Sequence, residues 1–249
     1  MCLVPTVTQC PIGPGESYHY KFNADNIGTH WYHAHTGMQR TDGLYGAFIV
    51  YDDRKNEKKS TTTNNYEHEY LFLVQDWNNR LWSDLYKYPL WKNFKYTHGY
   101  DNNSTCALRL RIDDLSILPT VPQDTVIING KGWHNLTANS SDIFNLGLDL
   151  LKFPLETFNV KANSKYLFRV VGANNAFSLV ISFESHKIRV VATDGNRIKP
   201  IDSVDQLIIH GGERYDFELE TKDENFANNY LIFVKLLAVA DESFQGIIA

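Results

Sequence analysis

The sequence predicts an all-β chain organised as two tandem β units, and three observations carry that prediction. Apolar residues recur with a period of two rather than 3.6 along most of the 249 residues. The alternating runs are short. Turn-forming Gly, Asn and Asp clusters separate them at the spacing expected of a β-sandwich or barrel. In order, Tyr18 to Phe22 alternates and reads as a strand, as does Leu44 to Val50 around Gly46. The polar stretch Asp52 to Lys59, then Ser60 and Thr61 to Asn65, has nearly cancelling charges and reads as a solvated linker. It divides the chain into a first unit of residues 1–60 and a second of residues 66–249. Strand signals resume at Tyr66 to Gln75 and continue at Thr125 to Ile128, Lys165 to Val171, Phe177 to Phe183, Lys187 to Ala192, Gln206 to His210, Tyr215 to Leu219 and Tyr230 to Leu237. Turns at Gly172 to Asn175, Asp194 to Asn196 and Gly211-Gly212 punctuate them. Leu81 to Tyr88, ended by Pro89, is the one helix candidate, and no repeat of solenoid period is present.

Composition narrows the function classes. Lys and Arg number 24 against 29 Asp and Glu, a net charge of -5, so no basic excess is available to neutralise the phosphates of a nucleic acid. The longest nearly apolar run, Tyr230 to Ala240, is interrupted by Lys235 and falls short of the ~20 residues of a transmembrane helix. Met1 to Pro5 carry no signal-peptide pattern. Yet sequons begin at Asn102, Asn103, Asn135 and Asn139, a cluster that predicts a secreted, extracellular glycoprotein. Cys2, Cys10 and Cys106 leave one thiol over, so sequence assigns no disulfide partners. Secretory marks without a leader predict that a segment is missing at the N-terminus.

The chemistry concentrates in Gly28-Thr29-His30-Trp31-Tyr32-His33-Ala34-His35-Thr36-Gly37-Met38-Gln39-Arg40-Thr41-Asp42-Gly43-Leu44-Tyr45-Gly46. Residues i and i+2 of a strand share a face, so His33 and His35 project the same way. Paired neutral imidazoles suit copper or zinc. His-x-His spacing alone is weak, since a histidine at a strand end is more often a hydrogen-bonded surface residue. The whole block, however, resembles the first cupredoxin domain of multicopper oxidases, laccases and ascorbate oxidases in particular. Val7 to Ile12, Pro14-Gly15-Glu16 and Tyr20-x-Phe22 match that family upstream in the same order. Downstream, Phe168 to Val171, Asp194-Gly195-Asn196 and Gly211-Gly212-Glu213-Arg214-Tyr215-Asp216-Phe217 are similar to its second domain.

The resemblance implies tandem cupredoxin-like Greek-key β-sandwiches, the first incomplete, and a copper cofactor. It makes His33 and His35 type 3 copper ligands, one to each copper of a pair, and implies one-electron oxidation of a small reducing substrate (a phenol, diamine, ascorbate or metal ion) coupled to reduction of dioxygen to water. It places His30 at a non-ligating position. His19, His68, His98, His134, His186 and His210 stand in no paired spacing and are read as structural. The family draws its cluster from four His-x-His motifs, two in the first domain and two in the third, and this sequence has one. The third cupredoxin domain is absent, with the His-Cys-His segment that carries the type 1 copper. The proton-delivering Asp expected before the Gln-Cys-Pro motif is replaced by Cys2 and Leu3. Cys10 matches a cysteine that pairs with the third domain, so it is expected here as a buried free thiol. Both ends are therefore expected to be cuts, and the chain alone to be inactive. The alternative is a secreted, non-catalytic binding or interaction domain. Asn129-Gly130-Lys131-Gly132 lacks phosphate-loop spacing and is read as a turn, as is Asp194-Gly195. Trp31, Trp77, Trp82, Trp91 and Trp133 are read as packing or loop anchors.

Overall fold

The computed structural model describes residues 7–51, 66–78, 81, 108–112, 116–120, 125–132, 155–175, 177–223, 229–237 and 245–248. The proposed linker, the helix candidate beyond Leu81, all four sequons, Cys2, Cys106, His98 and His134 lie outside them. Among the described residues the secondary structure is entirely β. The strands are β1 (Gly28–His33), β2 (Tyr45–Val50), β3 (His68–Trp77), β4 (Leu108–Ile112), β5 (Ser116–Thr120), β6 (Thr125–Ile128), β7 (Lys165–Gly172), β8 (Ser178–Phe183), β9 (Ile188–Thr193), β10 (Asn196–Val204), β11 (Leu207–Ile209), β12 (Arg214–Glu220), β13 (Ile232–Leu237) and β14 (Gln245–Ile248). A six-stranded sheet runs β10-β9-β12-β7-β3-β6 and a four-stranded sheet β11-β8-β13-β14. Among the described residues, β1 and β2 pair only with each other, as do β4 and β5. Pairing is antiparallel except between β3 and β7, which run parallel from His68 opposite Tyr166 to Val74 opposite Gly172.

The two larger sheets enclose one apolar core. Phe72 and Val74 of β3, Phe168 and Val170 of β7, and Phe217 and Leu219 of β12 meet Leu179, Ile181 and Phe183 of β8 and Ile232, Val234 and Leu236 of β13. Phe168 and Phe217 stack with centroids 5.2 Å apart, and Phe183 closes on both edge-on. Each such side chain contributes about 1.5–3 kcal/mol by leaving water. The alternation seen in sequence is the division between this core face and the opposite one.

β7 breaks the alternation, because every residue from Tyr166 to Gly172 is buried. Its core face carries Phe168 and Val170, while Leu167 and Arg169 face outward, where the β1–β2 hairpin lies across β7 and β12. The hairpin is thus packed on the outer face of the six-stranded sheet, and that seam positions the His-x-His.

Contrary to the expectation of a strand, Tyr18 to Phe22 forms none; Tyr18, Tyr20 and Phe22 are exposed. Alternation specifies a strand only when a neighbouring strand takes up its backbone groups. Among the described residues none does, and contact with the hairpin is a ring contact of Phe22 on Phe48, 5.6 Å between centroids. Conversely, β10 went unread because Asn-Arg-Ile-Lys-Pro-Ile-Asp-Ser-Val has no apolar alternation. It is a bulged edge strand, largely exposed, the setting in which a strand tolerates Pro200.

Candidate metal centre

β1 and β2 pair from Gly28 opposite Val50 to His33 opposite Tyr45. His33 is therefore the last laddered residue, and His35 lies two residues beyond the strand end. Their rings nonetheless come together, with centroids 5.8 Å apart and planes 32° from parallel. Trp31, on the same face of β1 as His33, packs its ring 4.3 Å from that imidazole. His33 is half-buried and His35 exposed. His33 Nδ1 lies 3.0 Å from the Ala34 carbonyl oxygen, which can only accept, so Nδ1 carries the proton and Nε2 keeps its lone pair. A carbonyl that accepts from the far nitrogen in this way fixes the tautomer that a metal needs. His30 is the contrast. Its Nε2 donates to the Asn26 carbonyl at 2.9 Å and its Nδ1 faces Arg214 Nη2 at 3.4 Å, so both nitrogens are engaged.

The segment after His35 is a turn bonded to itself. Gln39 N donates to Thr36 O, Asp42 N to Met38 O, Gly43 N to Arg40 O and Leu44 N to Gln39 O, and Ala34 N closes the base on Leu44 O at 2.9 Å. From β3, Gln75 Nε2 donates to the carbonyls of Arg40 and Thr41 at 3.3 and 3.0 Å, and the Trp77 ring covers Gly43. Tyr45, at the start of β2, is held protonated with its pKa pushed up to about 12, by burial first and by the Asp76 carboxylate second.

The hairpin is tied to the sheet by buried polar groups. Thr29 Oγ1 donates to Asp216 Oδ1 at 2.6 Å and accepts from Arg169 Nη1 at 3.0 Å. Arg169 also pairs with Asp216 at 3.0 Å and with Glu69 at 2.9 Å, beneath the Tyr51 ring. Arg214 Nε donates to the Thr29 carbonyl at 3.1 Å, and Asp194 accepts from both the Arg214 backbone and its guanidinium. Burial raises the Asp216 pKa above its ordinary value, while the Arg169 charge and the Thr29 hydroxyl pull it back. A cavity of about 60 Å³ remains in this seam, lined by Gly28, Leu167, Arg169, Gly195 and Asp216 among others. In the sequence Arg169, Arg214 and Asp216 stand out only as parts of motifs, and nothing local marks Thr29, Glu69 or Gln75. The available signal was a charged residue inside an apolar run, as in Phe168-Arg169-Val170 and Tyr215-Asp216-Phe217.

Elsewhere, His19 and His68 are exposed, His186 Nδ1 bonds the Glu184 carbonyl, and His210 Nδ1 meets Ser178 Oγ. Among the described residues no group of three or more His, Cys, Asp or Glu converges. Cys10 is free but exposed rather than buried, because the side chains around it in the segment before β1 are themselves mostly exposed. Asn129-Gly130 is a turn with positive φ at both residues, and Asn129 brackets β3 through Leu71 and Leu73.

The multicopper oxidase family model matches residues 68–248, and a second model of the same description matches residues 4–55. The chain belongs to the multicopper oxidase family. It is 30% identical over 254 residues to the L-ascorbate oxidase of Nicotiana tabacum, covering 97% of this chain and 38% of that protein. It is 27% identical over 229 residues to Laccase-1 of Fomitopsis schrenkii, covering 92% and 33%. Among solved structures, Fet3p, a multicopper oxidase that functions in iron import, aligns with a TM-score of 0.62 at 27% identity, covering 94% of this chain and 35% of that one. The laccase of Botrytis aclada aligns at 0.61 and 26%, covering 92% and 35%. The chain thus spans about a third of the length of these multicopper oxidases, and its fold is cupredoxin-like. Among the described residues, no helix is long and apolar enough to cross a membrane.

Proposed function

We propose that this chain is the part of a laccase-type, copper-dependent oxidoreductase that supplies His33 and His35 to a type 3 copper pair. The observation that carries this reading is the meeting of the two imidazoles at the end of β1, with His33 Nε2 left as a free lone pair, in a multicopper oxidase chain. The donor set fits the metal as a partial set: imidazole nitrogen suits copper, and two such ligands make half a site at most. Bound there, copper would supply the redox chemistry that passes electrons from a small reducing substrate, a phenol, diamine, ascorbate or metal ion, to dioxygen. The chain's own residues have simpler tasks. Trp31 and the β1–β2 ladder fix His33, the turn after His35 sets the second ring, and Thr29, Arg169 and Asp216 hold the hairpin to the sheet. The remaining cluster ligands would come from outside these residues, from the first domain's other His-x-His and from a third cupredoxin domain that would also carry the type 1 site.

The same reading divides the chain into units 1–60 and 66–249, supported by a hairpin that shares no sheet with the sandwich behind it. It places the protein outside the cell, supported by the four sequons. The test is copper binding by the purified chain. Weak, substoichiometric binding is expected, lost in His33→Ala and His35→Ala. Retention of three or four coppers after dialysis, or binding indifferent to both substitutions, would overturn the assignment.

A further inference from the structure

We infer that Gln75 is a positioning residue for the copper ligands, acting on His35 through the turn that follows it. The inference rests on the copper reading above but is carried by separate observations. Gln75 is fully buried on β3, on the outward face it shares with Leu73 and Trp77, a degree of burial that ordinarily goes with an apolar side chain. Both Nε2 protons are used, one on the Arg40 carbonyl and one on the Thr41 carbonyl. The orientation is fixed chemically, since the reversed amide would set Oε1 against two carbonyl oxygens. Oε1 is left buried with no partner among the described residues. A buried amide with one end unsatisfied is unfavourable for packing alone, so this position is occupied for its donors.

Those donors land where they matter for one histidine and not the other. His33 is held by the β1–β2 ladder through its pairing with Tyr45. His35 lies past the ladder and is placed by the interlocked turn from Thr36 to Leu44, whose middle carbonyls Gln75 grips while Trp77 covers Gly43. Releasing the grip should therefore free His35 and leave His33 in place, a selective loss that general destabilisation would not produce.

The test uses the full 249-residue chain loaded with substoichiometric Cu(II). With copper in deficit no pair can form, and the two rings, 5.8 Å apart between centroids, would share a single ion, so the electron paramagnetic resonance spectrum of the unmodified chain should show coupling to two imidazole nitrogens. Gln75→Leu, which removes the donors, and Gln75→Glu, which keeps the shape but presents acceptors, should each reduce this to one nitrogen. Both should weaken copper binding about tenfold, the scale on which losing the group that orients a metal-binding histidine acts. Hydrogen exchange should accelerate at the Asp42, Gly43 and Leu44 amides and stay unchanged along the β1–β2 ladder. Val234→Ala, destabilising in the core between the two sheets and away from the hairpin face, should keep both nitrogens. Two nitrogens together with unchanged turn exchange in the Gln75 variants would overturn the inference. If the unmodified chain binds no copper, the copper reading fails, and the exchange pattern alone decides whether Gln75 holds the turn. If neither variant folds, the Gln75 side-chain amide protons of the unmodified chain decide it: slow exchange supports the grip and rapid exchange refutes it.

Discussion

The pKa of Asp216 is shifted in the opposite sense to that of most carboxylates in a folded protein. Burial raises its pKa above the ordinary 3.8, and the favourable Arg169 charge offsets that only in part. The native state therefore holds this proton more tightly than the unfolded chain does. The group's contribution to stability is complete below about pH 3.8 and declines as pH rises through the native value. The unmodified chain should lose stability relative to Asp216→Asn across that window, measured by urea unfolding of both at a series of pH values. A difference that grows in favour of the unmodified chain with rising pH would show that the Arg169 pair outweighs desolvation. Arg169 is the cation that this carboxylate faces. Arg169→Met leaves Asp216 buried and Glu69 beside it without their shared cation, and should cost about 3–5 kcal/mol in the same assay. A loss under about 1 kcal/mol would place the pair in the class of screened surface bridges.

At the scale of elements, the docking of the hairpin on the sheet depends on close backbone approach. Gly28 opens β1 at φ +121, and a Cβ there would fall 2.3 Å from the Gly195 carbonyl oxygen, which is backbone and cannot rotate away. Gly28→Ala should cost about 2–6 kcal/mol, adding left-handed strain to a forced separation of hairpin and sheet. Gly130→Ala, at φ +78 with nothing within 4 Å, bears the backbone strain alone and should cost about 1–2 kcal/mol. Equal losses in thermal unfolding would mean that the hairpin does not press on the 194–195 turn. The seam also shows what sequence conveys and what it hides. β3, β7, β8, β9, β12 and β13 were legible because each has a face against one shared core, which imposes alternation. β10 was not, because an edge strand without a buried face leaves no such trace. His33 and His35 were legible through local spacing. Gln75 and the Thr29–Asp216 bond were not, because the bonded residues of that pair stand 187 positions apart and no periodicity records the contact.

For the whole molecule, the 249-residue sequence carries one His-x-His and no cysteine within five residues of a histidine. It spans about a third of the relatives it matches. Those facts decide the expected behaviour of this chain by itself. Reduction of dioxygen to water takes more electrons than one weakly held copper can deliver, and single-electron entry needs a soft thiolate set beside imidazoles. His33 and His35 can recruit metal, but added copper cannot create a thiolate site or the remaining imidazoles. Oxygen uptake with a phenol and added copper should therefore show no saturable turnover for these residues alone. A longer polypeptide, extended at both ends to supply the first domain's other His-x-His and a third cupredoxin domain, should consume oxygen, and His33→Ala within it should abolish that consumption. The informative comparison measures both polypeptides at matched copper. Saturable, copper-dependent uptake by the 249-residue chain, lost on His33→Ala, would mean that two imidazoles and their surroundings suffice, and the division of labour between domains argued above would be wrong.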